Sequence, residues 1–193
     1  MKIVRTNAPA SLPVTRDAVK VHLNVDFADD DSLIDGYISA AVAYFDGWSG
    51  ILGRCLVTQT WQVQVPDFGS CGFVRLPFPD VQTALVTYID QNGVTQTFAA
   101  ANYHLTDDAI GSLLFLAEGA SFPSVALRPD AVTISIQCGY GDPDHVPPSL
   151  KHAMMMLIAH WYASREAVQA RASMSVPFGV EALAAPHRRV FAR

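Results

Sequence analysis

The stretch Gly141–Ala167, "GDPDHVPPSLKHAMMMLIAHWYASREA", decides how the rest of the chain is read. It opens as a turn. Pro147 and Pro148 then mark a helix start, because the N–H that proline lacks would be unpaired in a first helical turn anyway. The spacing predicts one long helix from about Ser149 to Arg171. Between Ala153 and Ala163 the one strongly polar side chain is His160, so this helix has no wet side. Met154, Met155 and Met156 alone cover nearly the whole circumference, since successive residues stand about 100° apart. Methionine thioethers fill irregular gaps and serve both cores and adaptable binding surfaces. The expectation is that the chain's own core covers one side and a second copy covers the other. Trp161 and Tyr162 extend the same surface, and both types are enriched at interfaces. The apolar run is too short to cross a bilayer, which takes about 20 residues.

Upstream, the period of the apolar residues changes. Residues 1–14 hold Pro9 and Pro13 and read as an extended arm. Thr15 is placed to cap a short helix through about Leu23. Ile34, Ile38, Ala41, Phe45 and Trp48 then repeat at helical spacing, predicting an amphipathic helix from about Asp31 to Trp48. The middle of the chain alternates with period two. In "VTQTWQVQV", Val57, Trp61, Val63 and Val65 share one face with Gln59, the single polar exception. "AVTISIQCGY" sets Val132, Ile134, Ile136 and Cys138 against Thr133, Ser135 and Gln137. Gln91-Asn92-Gly93 is a hairpin signal between "VQTALVTYID" and "VTQTF". "NYHLT" and "SLLFL" read as another pair joined by "DDAIG". The prediction is α+β: a small helical bundle of two N-terminal helices and one long C-terminal helix, with an inserted antiparallel meander of six short strands. A single domain would cover 1–172, with helices over about 15–49 and 147–171 and the β-rich insertion over about 55–140. Residues 173–193 hold one short helical patch, Val180 to Ala184, bracketed by Pro177 and Pro186. They read as an extended tail that docks on something.

The totals narrow the function. The chain has 193 residues, half of them hydrophobic and 16% charged, which suits one cored domain and excludes a disordered one. Net charge is −5, so the surface as a whole is not built to grip nucleic acid. From Lys151 onward six basic residues face two acidic ones, a net +4, which leaves −9 on the preceding 150 residues. An acidic body with a basic tail suggests an acidic partner for the tail. Cys55, Cys71 and Cys138 are widely spaced and odd in number, which reads as free thiols in a reducing compartment. "MKIVRTNAPASLPV" has no apolar core of a secretion signal.

Catalytic patterns do not emerge. "DFADDDS" has consecutive aspartates but neither the central glycine nor the terminal glutamate of a calcium loop. It reads as negative charge at the positive end of a helix dipole. His152 and His160 are eight residues apart, two turns, rather than the four that let two rings share a metal. There is no GxSxG, and "GYGDP" follows a strand and leads into Pro-Pro, so it reads as a turn rather than a phosphate loop. The expectation is a protein without enzymatic activity, cofactor or metal.

The order of a helical N-terminus, a strand-rich insertion and "VPPSLKHAMMMLIAHWYASREA" resembles the head–tail connector (adaptor) proteins of tailed phages and the related gene transfer agents. The residues that carry the likeness are Pro147, Pro148, Leu150, Ala153, Leu157, His160, Trp161, Tyr162, Arg165 and Glu166. "CGYG" before them, "VPFGVEALAAPHRRV" after them and "TRDAVKVHLNVDFADDDSLIDGYISAAVAYFDGWSG" near the start also carry it. The β-insertion is longer than in the shortest members. The resemblance implies a structural virion protein, assembled in the host bacterial cytoplasm and found at the head–tail junction. It implies a ring, a dodecamer, beneath the portal protein, with a tail stopper or terminator protein on the other side. DNA would pass through without sequence-specific binding, and no membrane is involved. Met154, Met155, Met156, Trp161, Tyr162 and Arg165 would form the subunit interface. The tail would dock on the portal through Phe178, Val180 and Leu183, with Arg188 and Arg189 pairing with portal carboxylates. The acidic body would line a bore that repels the phosphate backbone.

Two other readings compete. A tail-completion or stopper protein would show affinity for the tail tube rather than the portal. A small nucleic-acid-processing accessory protein would use the basic tail as a grip, and its DNA binding would weaken steeply with salt.

Overall fold

The computed structural model describes residues 1–108, 110–164 and 177–189. The chain divides into two compact units, each discontinuous in sequence. The first, β-rich unit takes residues 1–10, 58–140 and the chain from Arg189. The second, helical unit takes residues 11–57 and 141–188.

The β-rich unit holds strands β1 (Lys2–Asn7), β2 (Gln59–Val65), β3 (Phe73–Arg75), β4 (Val81–Ile89), β5 (Thr95–Phe98), β6 (Tyr103–Asp108), β7 (Gly111–Leu116) and β8 (Val132–Cys138). They form a five-stranded sheet, β1-β2-β8-β4-β5, and a three-stranded sheet, β3-β7-β6. Each pairing is antiparallel. The period-two pattern holds where both neighbours are strands: Val132, Ile134, Ile136 and Cys138 of the central β8 are fully buried. Gln59 is buried on the apolar face of β2, where its carbonyl oxygen accepts the Trp61 indole N–H at 3.1 Å. At the β4–β5 turn Gly93 has φ 80°, a conformation that costs glycine little. The Asp90 carboxylate accepts the N–H groups of Asn92 and Val94 and the amide of Gln96. Those bonds hold its pKa below the ordinary carboxylate value. Asp108 does the same at the β6–β7 turn: Arg75 binds it through two nitrogens, at 3.0 and 2.7 Å, and it accepts the N–H groups of Ile110 and Gly111. Arg75 is the main cause of its pKa lying well below the carboxylate range.

The helical unit holds α1 (Arg16–Leu23), α2 (Asp31–Phe45), α3 (Pro148–Ala163) and α4 (Phe178–Ala184). Thr15 caps α1, accepting the Ala18 N–H at 3.2 Å. Ile34, Ile38, Ala41 and Phe45 form the fully buried stripe of α2. After Phe45 the chain turns at Asp46, which is buried and accepts the Leu56 N–H at 2.7 Å. That bond satisfies a backbone donor that water does not reach. Trp48, expected on the helix, lies beyond it and is 41% exposed.

The predicted fold class is corrected in three respects. The long C-terminal helix over 147–171 is a short one. α3 has 16 residues, and Ser164 departs from helical geometry at φ −116° and ψ 61°. The apolar residues that hold this helix stop at Tyr162. Ser164, where the helix ends, is a weaker helix former than the methionines and alanines before it. The rest of that prediction, 165–171, lies outside the described residues. Second, the six-stranded meander is eight strands in two sheets, because β1 and β3 join by edge pairing that no local pattern announces. Third, the extended tail contains a fourth helix, α4, continued by a 3-10 turn at Ala185–His187.

Candidate functional site

No enclosed reactive centre is legible in the sequence, so the candidate site is a surface, built around α3. Leu150, Ala153, Met154, Leu157 and Ile158 are fully buried. α3 packs against α1, α2 and α4. Much of the cover that its circumference demands therefore comes from its own chain, and α4 supplies part of it. Val180 and Ala184 of α4 are fully buried. The methyl of Met156 lies 2.8 Å from where a Cβ on Gly179 would stand, so the absence of a side chain there admits the methionine.

Polar contacts secure the same packing. The Tyr162 hydroxyl donates to Asp30 at 2.5 Å, tying the end of α3 to the start of α2. The Trp161 ring sits 6.2 Å from that of Tyr37, tilted by 41°. At the other end of α3, Ser149 Oγ and His187 Nε2 are 2.9 Å apart. Burial, then the positive charge of Arg54, hold the His187 pKa below its ordinary value, so this ring favours the neutral form. Asp31 pairs with Lys20 at 2.6 Å and with Arg16 at 3.2 Å. The acid-rich turn thus neutralises basic residues of α1 as well as facing a helix dipole.

The expected interface residues separate under this geometry. Met154 is buried, Met155, Met156, Trp161 and Tyr162 are half-buried, and Arg165 lies outside the described residues. The expected docking residues separate too. Val180 is buried, Leu183 is half-buried, and Phe178 is 86% exposed. Arg188 pairs with Glu181 of the same helix region at 2.8 Å. In the β-rich unit, Arg189 donates to the carbonyls of Ile110 at 2.9 Å, Leu76 at 3.1 Å, and Pro77.

Two features of the surface have no signal in the sequence. A groove of about 520 Å³ opens in the helical unit, lined among others by Leu12, Ala18, Ile38, Pro143 and Met155. The residues that enter it from 11–15 read in sequence only as an arm with prolines. On the three-stranded sheet, the register places Phe73, Phe115 and His104 side by side across β3, β7 and β6. Phe73 and Phe115 stack at 6.2 Å, and Phe115 is 41% exposed. Such a row depends on pairings between distant strands. Among the described residues, no group of three or more His, Cys, Asp or Glu is arranged to hold a metal ion. No described helix is long and apolar enough to cross a membrane.

The sequence matches no family model and no curated protein. The fold, however, matches solved structures along the whole chain. A chain from the virion of a native gene transfer agent particle superposes with a TM-score of 0.78 at 24% identity, covering 100% of this chain and 98% of that one. A chain from the neck of an empty gene transfer agent particle, computed with C6 symmetry, gives 0.77 at 23% identity, with the same coverage. One from the neck of a native particle, computed with C12 symmetry, gives 0.72 at 23%, again covering 100% and 98%. This chain shares their fold.

Proposed function

We propose that the chain is a non-enzymatic structural protein of the neck of a phage-like particle, a head–tail connector. It acts as one subunit of a ring between portal and tail. The observation that carries this reading is the full-length match to neck chains from structures with sixfold and twelvefold symmetry. Coverage of all of this chain and 98% of each neck chain favours the same kind of part rather than a shared subdomain.

In this reading the helical units form the wall of the ring. The half-buried residues of α3, with Arg165 beyond it, meet the neighbouring subunit. DNA passes through the bore, and the chain's net charge of −5 suits a conduit that does not grip phosphates. The test is to purify the chain with and without the portal protein, determine the mass of each complex, and image particles from the producing cell. A closed ring between portal and tail is the expected result. A chain missing from the particles, or one that stays monomeric with portal present, overturns the reading. Binding to the tail tube alone identifies a stopper instead. DNA binding that falls steeply with salt identifies the nucleic-acid reading.

A further inference from the structure

A ring of identical subunits needs a heterologous contact: one patch on each copy must fit a different patch on the next. The helical unit carries two such patches. The first is Phe178, an aromatic side chain 86% exposed at the start of α4. Its helix is seated on α3 through Met156 and the buried Val180, so the ring projects from a fixed base. The second patch is the groove of about 520 Å³, lined by the apolar side chains of Ile38, Met155, Leu12 and Ala18 among others. Met155 and Met156 are consecutive on α3, hence about 100° apart around its axis. One supports the projection and the other lines the groove, so the two patches lie on different faces of the same unit.

Each patch carries one acid and one base beside it. Lys151 and Asp144 line the groove, and neither has a partner among the described residues. Glu181 stands three residues after Phe178 on α4, on the same side of the helix, and pairs with Arg188 at 2.8 Å, both still substantially exposed. We propose that Phe178 of one copy inserts into the groove of the next, with Glu181 approaching Lys151 and Arg188 approaching Asp144. Repeated around an axis, this contact closes the ring. The inference rests on the ring reading above and adds the residues that make the joint.

The experiment uses the full chain with Cys71→Ser, since Cys55 and Cys138 are buried and Cys71 is exposed. Phe178→Cys and Ala18→Cys are made in separate preparations carrying tags of different size, then mixed under assembly conditions and oxidised. The expected product is a disulfide-linked pair holding one chain of each kind. In parallel, Phe178→Asp and Met155→Glu each reduce ring formation at least tenfold while leaving the circular dichroism spectrum of the monomer unchanged. Wild-type rings alongside variant rings of equal yield overturn this joint and leave the ring reading standing. Cross-linking only between chains of the same kind, or none within wild-type-like rings, does the same. A wild-type chain that forms no ring with or without portal overturns both.

Discussion

Gly50 and Asp46 show how much of this fold rests on single positions. A Cβ on Gly50 would stand 2.5 Å from the Phe45 carbonyl and nearer still to that of Asp46. The obstacle is main chain, which cannot rotate aside, so the turn itself must open. Gly50→Ala therefore costs about 2 kcal/mol, a fall in Tm of roughly 4–8 °C for a chain of this size, measurable by differential scanning fluorimetry. Asp46→Ala strands the Leu56 N–H in a buried site. Its expected cost is about 1–3 kcal/mol, and chemical denaturation checks it. Neither position announces itself in the sequence. A glycine after a helix reads as an ordinary stop signal, and an aspartate there reads as solvent-facing. The groove residues Leu12 and Ala18 are illegible for the same reason, because their role is set by what the fold places opposite them.

Elements are legible to the degree that their signals are local. Thr15 and the stripe from Ile34 to Phe45 announce α1 and α2, since a cap and a 3.6 period need no knowledge of partners. The alternation in β2 and β8 is equally plain, because both are flanked by strands and buried on one face. β1 is hidden because five of its six residues are exposed, so "KIVRTN" has no alternation to display. The tail is half legible. Its helical patch shows in the sequence, but its seat on α3 does not, because that contact joins segments that no local pattern links. That contact carries a pH dependence. The His187 pKa is lowered, so the unfolded chain binds a proton more readily than the folded one. The stability that neutral His187 contributes is therefore complete above about pH 6.5 and is lost as pH falls below it. Protection of the Phe178–His187 amides, taken relative to their intrinsic exchange rates, should fall as pH drops from about 6.5 to 5.5, and His187→Gln should flatten that response.

At the scale of the whole molecule, α4 is part of the folded helical unit as well as of a candidate anchor. Deleting 173–193 removes α4 and uncovers the side of α3 at Met156. Losing the burial of Val180 alone costs about 1.5–3 kcal/mol. The truncated chain should melt roughly 3–12 °C lower and bind a hydrophobic dye that the full chain ignores. A truncation with unchanged Tm would place α4 outside the stabilising core. The order of the main helices and strands along the chain is legible because each announces itself locally. The division into two units, each assembled from separated segments, is not, because it depends on which distant segments meet.

The strand order β1-β2-β8-β4-β5 also sets a schedule for synthesis. β8 is the last strand in sequence yet lies between β2 and β4. While the ribosome adds the residues from Ile89 to Val132, at about 5–20 residues per second, two apolar-faced strands wait for several seconds without the neighbour that joins them. Nascent chains halted before Val132 should accordingly be captured by holdase chaperones, and chains released after Cys138 should not.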